Sequence, residues 1–175
     1  RVATILLTDG GHEDGLEDAV DGLGGGWTKE QVFTIMVGTR IGSYGAIGLV
    51  LALLIKYQAL SYQTAAFIPA SIIAGHALSR LCAVLIMLTQ TYVKAAGKSK
   101  PLATELKLTE LIMATFFGLL PLAFLEIQFL GALIPVAVVW LWFSAKIKTR
   151  LGGYTGDCLG AMQQMTEIAF YIGLL

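Results

Sequence analysis

Five apolar runs, at about residues 44–60, 65–93, 108–125, 127–145 and 159–175, each come close to the ~20 residues a helix needs to cross a bilayer. An open strand cannot leave its backbone groups unpaired in lipid, so runs of this length read as helices. A chain that is 56% hydrophobic and only 14% charged supports the same conclusion. The expected fold is all-α, a polytopic integral membrane helical bundle with about five transmembrane helices and an acidic helix on its cytoplasmic side. Residues 1–8 read as the tail of an apolar segment, so N-terminal helices are expected to be missing, and the chain stops while still apolar, so its last helix is expected to be cut short. Residues 1–175 are read as one membrane-embedded domain.

Charge placement sets the expected orientation. Lysine and arginine gather in 94–107 and 146–150, whereas the turns at 61–64 and 126–128 contain neither, which puts the basic loops toward the cytoplasm. Alternation of the spans then brings the acidic segment, the 94–107 loop and the 152–157 loop to that same face. The basic residues form no stripe that nucleic acid would require. Cys82 and Cys158 lie inside apolar stretches with no metal or disulfide spacing and read as core.

The polar counterpoint is the segment 12–22. Glu13, Asp14, Glu17, Asp18 and Asp21 crowd together, Asp9 precedes them, and no lysine or arginine lies between Val2 and Thr28. Repulsion of this kind is relieved by protonation or by a bound cation. Asp14, Asp18 and Asp21 recur at i, i+4 and i+7, which sets three hard oxygen ligands along one helical stripe. Magnesium and a phosphate-bearing substrate suit such a stripe, and a solvated acidic face is the plainer alternative. Gly22, Gly24, Gly25 and Gly26 end this helix. Thr28 and Gln31 then have capping-box spacing for a short amphipathic helix over about 29–37, which is expected to lie on the bundle.

A second element, Arg150-Leu151-Gly152-Gly153-Tyr154-Thr155-Gly156-Asp157, is a glycine-rich loop that opens onto the last apolar run. Gly152, Gly153, Thr155 and Gly156 would let backbone amides approach an anion at a helix start, although an ordinary helix-to-helix turn is also glycine-rich. Asp157 can cap that helix or add an oxygen to a metal site. Arg80 sits near the middle of an apolar run, where a charge costs at least about 2.5 kcal/mol, so it faces a polar cavity or pairs with a carboxylate such as Glu110 or Glu167. His76 reads as an interior histidine. Arg40 is either a phosphate clamp or a flanking charge, and Trp140 and Trp142 read as interface anchors.

Four of these motifs, in this order and spacing, resemble the cobalamin synthase family of adenosylcobinamide-GDP ribazoletransferases. They are 8–22, Arg40-Ile41-Gly42-Ser43-Tyr44-Gly45, Ser79-Arg80 and 150–161. The resemblance covers essentially the whole chain and implies an enzyme of the bacterial or archaeal cytoplasmic (inner) membrane whose active site faces the cytoplasm. The implied reaction joins adenosylcobinamide-GDP to alpha-ribazole or its 5'-phosphate and releases GMP, with Mg2+ as cofactor. Its acidic motif maps onto Asp14, Asp18 and Asp21, its phosphate loop onto Gly152, Gly153, Thr155, Gly156 and Asp157, and His12 and Arg80 also match. A homo-oligomer is left open.

This chain departs from the family pattern at Val37-Gly38-Thr39, where a basic residue, an aspartate and a serine are usual, at Asp9 in place of glycine, and at Glu17 in place of a small residue. On the implied chemistry Asp14, Asp18, Asp21 and Asp157 hold magnesium, and His12 or a carboxylate takes the hydroxyl proton. Arg40, Arg80 and Arg150 balance charge at phosphorus. A CDP-alcohol-type membrane phosphotransferase is the alternative enzyme, but Leu16-Glu17-Asp18 does not fit its signature. A cation or proton transporter is the alternative outside enzymes.

Overall fold

The computed structural model describes residues 10–38, 40–93, 106–125 and 127–175, so Asp9, Thr39, Glu126 and most of the basic loop after Val93 lie outside the described residues. Among the described residues seven α-helices follow one another: α1 Gly11–Gly25, α2 Lys29–Val37, α3 Ser43–Ser61, α4 Ile68–Thr89, α5 Leu108–Leu119, α6 Leu133–Leu151 and α7 Gly156–Gly173. Two 3-10 turns, Leu120–Phe124 and Ile127–Ala132, join α5 to α6.

Among the described residues three helical stretches are long and apolar enough to cross a membrane: Ser43–Ser61, Ile68–Thr89 and Phe129–Leu151. The run expected over 108–125 is shorter as a helix, because α5 tightens into a 3-10 turn that carries Pro121, a residue with no N–H for a helical ladder. The run expected over 159–175 does form a helix, but one unlike the other spans. α7 packs against α1, α3, α4 and α6, and most of its residues are buried. Exposed apolar side chains instead line α3, α5 and α6, among them Ile47, Leu54, Phe116, Val138 and Leu141. A continuous apolar exterior of that kind is what contact with lipid requires.

The acidic segment is a helix, and it is part of the bundle. Leu16, Ala19 and Leu23 bury one side of α1, and Val20 fits over Gly48 of α3. α2 begins as its spacing predicts: Thr28 Oγ1 accepts from the Gln31 amide at 3.3 Å, and Gln31 Oε1 accepts from the Thr28 amide at 3.2 Å. Val32 and Met36 then pack over Gly22, where a Cβ would collide with the Met36 side chain. Cys82 and Cys158 are both buried, and neither is in a disulfide. Trp140 departs from its expected role, since its indole N–H donates to the Cys82 carbonyl at 3.0 Å and ties α6 to α4. Trp142 stays exposed, with Lys146 Nζ 5.0 Å from its ring centre, as suits an interfacial side chain.

Candidate active site

Two motifs far apart in sequence meet where α1 crosses the start of α7. A Cβ on Gly15 would lie 3.0 Å from the Asp157 carbonyl oxygen, and one on Gly160 would lie 3.2 Å from the His12 carbonyl oxygen. Only glycine permits that approach, because the obstructing atoms are backbone. The contact opens onto a cavity of about 400 Å3 between α1, α4 and α7, lined by His12, Arg80, Gly156 and Gln163 together with apolar groups such as Val84. Two of the expected catalytic residues, His12 and Arg80, thus share one space with the start of the expected phosphate loop. Arg80 is exposed and its Nη1 donates to the His76 carbonyl at 3.0 Å. Burial, and then the Arg80 charge, hold the His12 imidazole below its ordinary value. It is therefore neutral near pH 7 and able to accept a proton.

The carboxylates of α1 divide into two sets. Asp21 is buried, and its Oδ2 and Oδ1 accept from the Gly42 and Gly45 amides at 2.6 and 2.8 Å. It closes the first turn of α3, whose orphan N–H groups and dipole favour an anion. This explains the glycines of the 40–45 motif, since a Cβ at Gly45 would press on the Asp21 and Glu17 carboxyls. The stripe read as three metal ligands therefore has one member turned inward to hold a helix. Asp14 is exposed and Asp18 half-buried. Glu17 is buried, and its carboxyl is pushed up to about 7, first by burial, then by a hydrogen bond with Asp21 and by the charges of Asp18, Asp21 and Asp14.

The glycine-rich loop is largely an ordered connection. Gly152 ends α6 in the left-handed region at φ 81°, and its amide donates to Lys148. The Tyr154 amide donates to the Thr91 carbonyl at 3.0 Å, and the Val93 amide to the Tyr154 carbonyl at 3.0 Å. Gly153 is pinned against Thr91, and Thr155 Oγ1 caps α7 by accepting from the Cys158 amide at 3.3 Å. The amides of Gly152 and Tyr154 are thus engaged, which moves the loop's capacity for an anion to Gly156 and the first turn of α7. Arg150 donates to the Gly26 carbonyl and links the loop to the end of α1. Arg40 is exposed, and Asp157 is half-buried beside Gly15.

A buried polar chain behind the cavity escaped the sequence reading. Lys56 is 2% exposed, pairs with Glu167 at 3.0 Å and also donates to Gln164. Gln164 donates to Glu13 at 3.1 Å, and His76 Nδ1 lies 3.7 Å from Glu167. Glu167, expected as a partner for Arg80, is seen with Lys56 instead. The signal was a lone lysine inside the apolar run 44–60, as costly there as Arg80 and read as nothing more than part of a span.

Among the described residues, no three His, Cys, Asp or Glu side chains converge as a preformed metal cluster. Magnesium does not demand one, because it keeps several waters and binds through one or two carboxylates plus substrate phosphate. Asp14 and Asp18 supply two such carboxylates, and the like charge that, after burial and the Asp21 hydrogen bond, raises Glu17 is repulsion a divalent cation relieves. The residues present fit the ion.

Taken together, the helices and the site define a helical bundle in which three described stretches are long and apolar enough to cross a membrane, around an acid-bearing helix and a polar cavity. The chain belongs to the cobalamin-5-phosphate synthase family, whose sequence model matches residues 1–175. Relatives named adenosylcobinamide-GDP ribazoletransferase include those of Shewanella piezotolerans at 47% identity and Shewanella pealeana at 44%, each aligned over 99% of this chain and 70% of the relative. The Ralstonia pickettii relative is 43% identical over 99% of this chain and 69% of its own length. No solved structure matches. Family membership sets aside the CDP-alcohol-type phosphotransferase and transporter readings.

Proposed function

We propose that this chain transfers the phosphocobinamide part of adenosylcobinamide-GDP to alpha-ribazole or its 5'-phosphate and releases GMP. The observation that carries the reading is the glycine contact of α1 with α7, which brings His12, Arg80 and the Gly156 helix start around one cavity in a chain of this family. Both reactants are anionic or polar, and a diphosphate must be exchanged at phosphorus. Such transfers depend on positioning and charge neutralisation more than on covalent help from the protein.

Asp14 and Asp18 would hold Mg2+, with Asp157 close by across the Gly15 contact. When bound, the ion neutralises the diphosphate and the departing GMP. Arg80 balances charge on the phosphorus under attack, and the first turn of α7 offers amides to a non-bridging oxygen. His12, neutral because of burial and Arg80, accepts the proton of the attacking ribose hydroxyl. Asp21 positions the site by joining α1 to α3.

The chain is placed in the cytoplasmic membrane, with five spans and the cavity open to the cytoplasm, where both substrates would be found. Its basic segments at 94–107 and 146–150 support that orientation. The test is GMP release by the full-length protein in liposomes supplied with adenosylcobinamide-GDP and alpha-ribazole. GMP formed only when both substrates are present supports the reading. Its absence at saturating substrates and magnesium overturns it.

A further inference from the structure

One wall residue of the His12–Arg80 cavity was selected neither by motif nor by charge. Gln163 is 2% exposed, and its Oε1 has no hydrogen-bond partner among the described residues. Buried polar atoms are rarely left so, because an unmet acceptor loses its water without replacement. The next residue gives the contrast: Gln164 is equally buried, and its carboxamide is engaged by Lys56 and Glu13.

The cavity's charge is already supplied by Arg80, and its neutral imidazole by His12. A carboxamide adds something different, namely uncharged hydrogen bonding that recognises a hydroxyl rather than a phosphate. Rotation about its last bond presents either end to the cavity, so an unpartnered carbonyl can be satisfied by an incoming donor. Both substrates of the proposed transfer carry ribose, the donor in its guanosine and adenosyl groups and the acceptor in its nucleoside.

We propose that Gln163 is a specificity-determining residue whose buried carboxamide, its Oε1 unpartnered, accepts a hydrogen bond from a ribose hydroxyl in the cavity it shares with His12 and Arg80. The inference rests on the transferase reading above. A site built to bond a hydroxyl discriminates strongly against an analogue that lacks it, because the protein group is then left unpaired.

The experiment uses the full-length protein in liposomes, as wild type and as Gln163→Met, which keeps the side chain's length without its amide. Each is assayed with the natural pair, with donors deoxygenated on the guanosine or on the adenosyl ribose, and with acceptors lacking each ribose hydroxyl that does not attack. Gln163→Met is expected to lower kcat/KM about 10- to 100-fold through KM for one substrate. Removing the recognised hydroxyl from that substrate should cost wild type a similar factor and cost the variant less than about 2-fold. The substrate whose penalty disappears identifies which ribose is held. Gln163→Ala, which inserts no new atoms, replaces Gln163→Met if the latter fails to fold. Unchanged kinetics in the variant, or deoxy penalties equal in variant and wild type, overturn the inference while leaving the transferase reading standing. A wild type that releases no GMP sinks both.

Discussion

Gly15 of α1 and Gly160 of α7 pack so closely that a Cβ on either would lie 3.3 Å from the other's Cα. Through that contact the acidic helix becomes part of the bundle, and the cavity acquires His12 on one wall and Gly156 with Gln163 on another. Substrate groups held by the two motifs can then meet within one small volume.

A methyl group at Gly15 must push against the Asp157 backbone, which has no rotamer with which to retreat. Gly15→Ala is expected to destabilise the protein by ~1–3 kcal/mol and to lower GMP release at least about 10-fold. Gly131→Ala, with nothing within 4 Å of the new Cβ, serves as the control and should match wild type. Thermal melts in detergent and the transfer assay check both.

Lys56 and Glu167 form an ion pair buried from both sides, so removing one partner strands the other. Lys56→Met should cost ~3–5 kcal/mol, and the double variant Lys56→Met/Glu167→Met should recover much of that loss. A double-mutant cycle on unfolding in mixed micelles gives the coupling.

Asp21 differs from Asp14 in what it loses on becoming an amide. Asp21→Asn places an NH2 where one of the two α3 amides donates, so ~1.5–3 kcal/mol of stability should go with it. Asp14→Asn, on an exposed position, should melt like wild type. Melting temperatures of the two purified variants, compared side by side, test the division.

Glu17 makes stability depend on pH in a stated direction. Its carboxyl rises from 4.5 to about 7 in the folded protein, so the folded state holds the proton more tightly than the unfolded chain. The contribution is complete below pH 4.5 and is lost as pH climbs through about 7. Wild type should therefore melt at progressively lower temperature across that window, and Glu17→Gln should flatten the profile. A profile that rises instead, or is unchanged by the substitution, contradicts the placement of Glu17.

Sequence patterns reveal what is local. The Thr28–Gln31 cap, the thiols of Cys82 and Cys158, and the helices over 44–60 and 65–93 follow from spacing and apolarity, and the structure has them. What depends on neighbours was hidden. The run 159–175 was read as one more span because its apolar content is high, and nothing in that pattern shows that Gln164 and Glu167 are held by partners on α1 and α3. Asp21 shares a stripe with Asp14 and Asp18, and nothing in that periodicity tells which carboxylate meets the start of another helix. The glycines of 40–45 and 152–156 announced close approach, but whether to a ligand or to another segment of chain was decided by Asp21 and by Thr91. Gln163 carries no charge and belongs to no motif, so only its burial without a partner marks it.

We propose that Asp14 and Asp18 of α1 hold the magnesium that lets two polar reactants meet beside His12 and Arg80. The initial rate of GMP release against magnesium concentration, for wild type, Asp14→Asn and Asp18→Asn, each first shown to melt like wild type, tests this. Wild type is expected to give no transfer without a divalent ion, and each variant to lose at least about 100-fold at saturating magnesium. Full turnover by metal-stripped wild type, or by either variant, would contradict it.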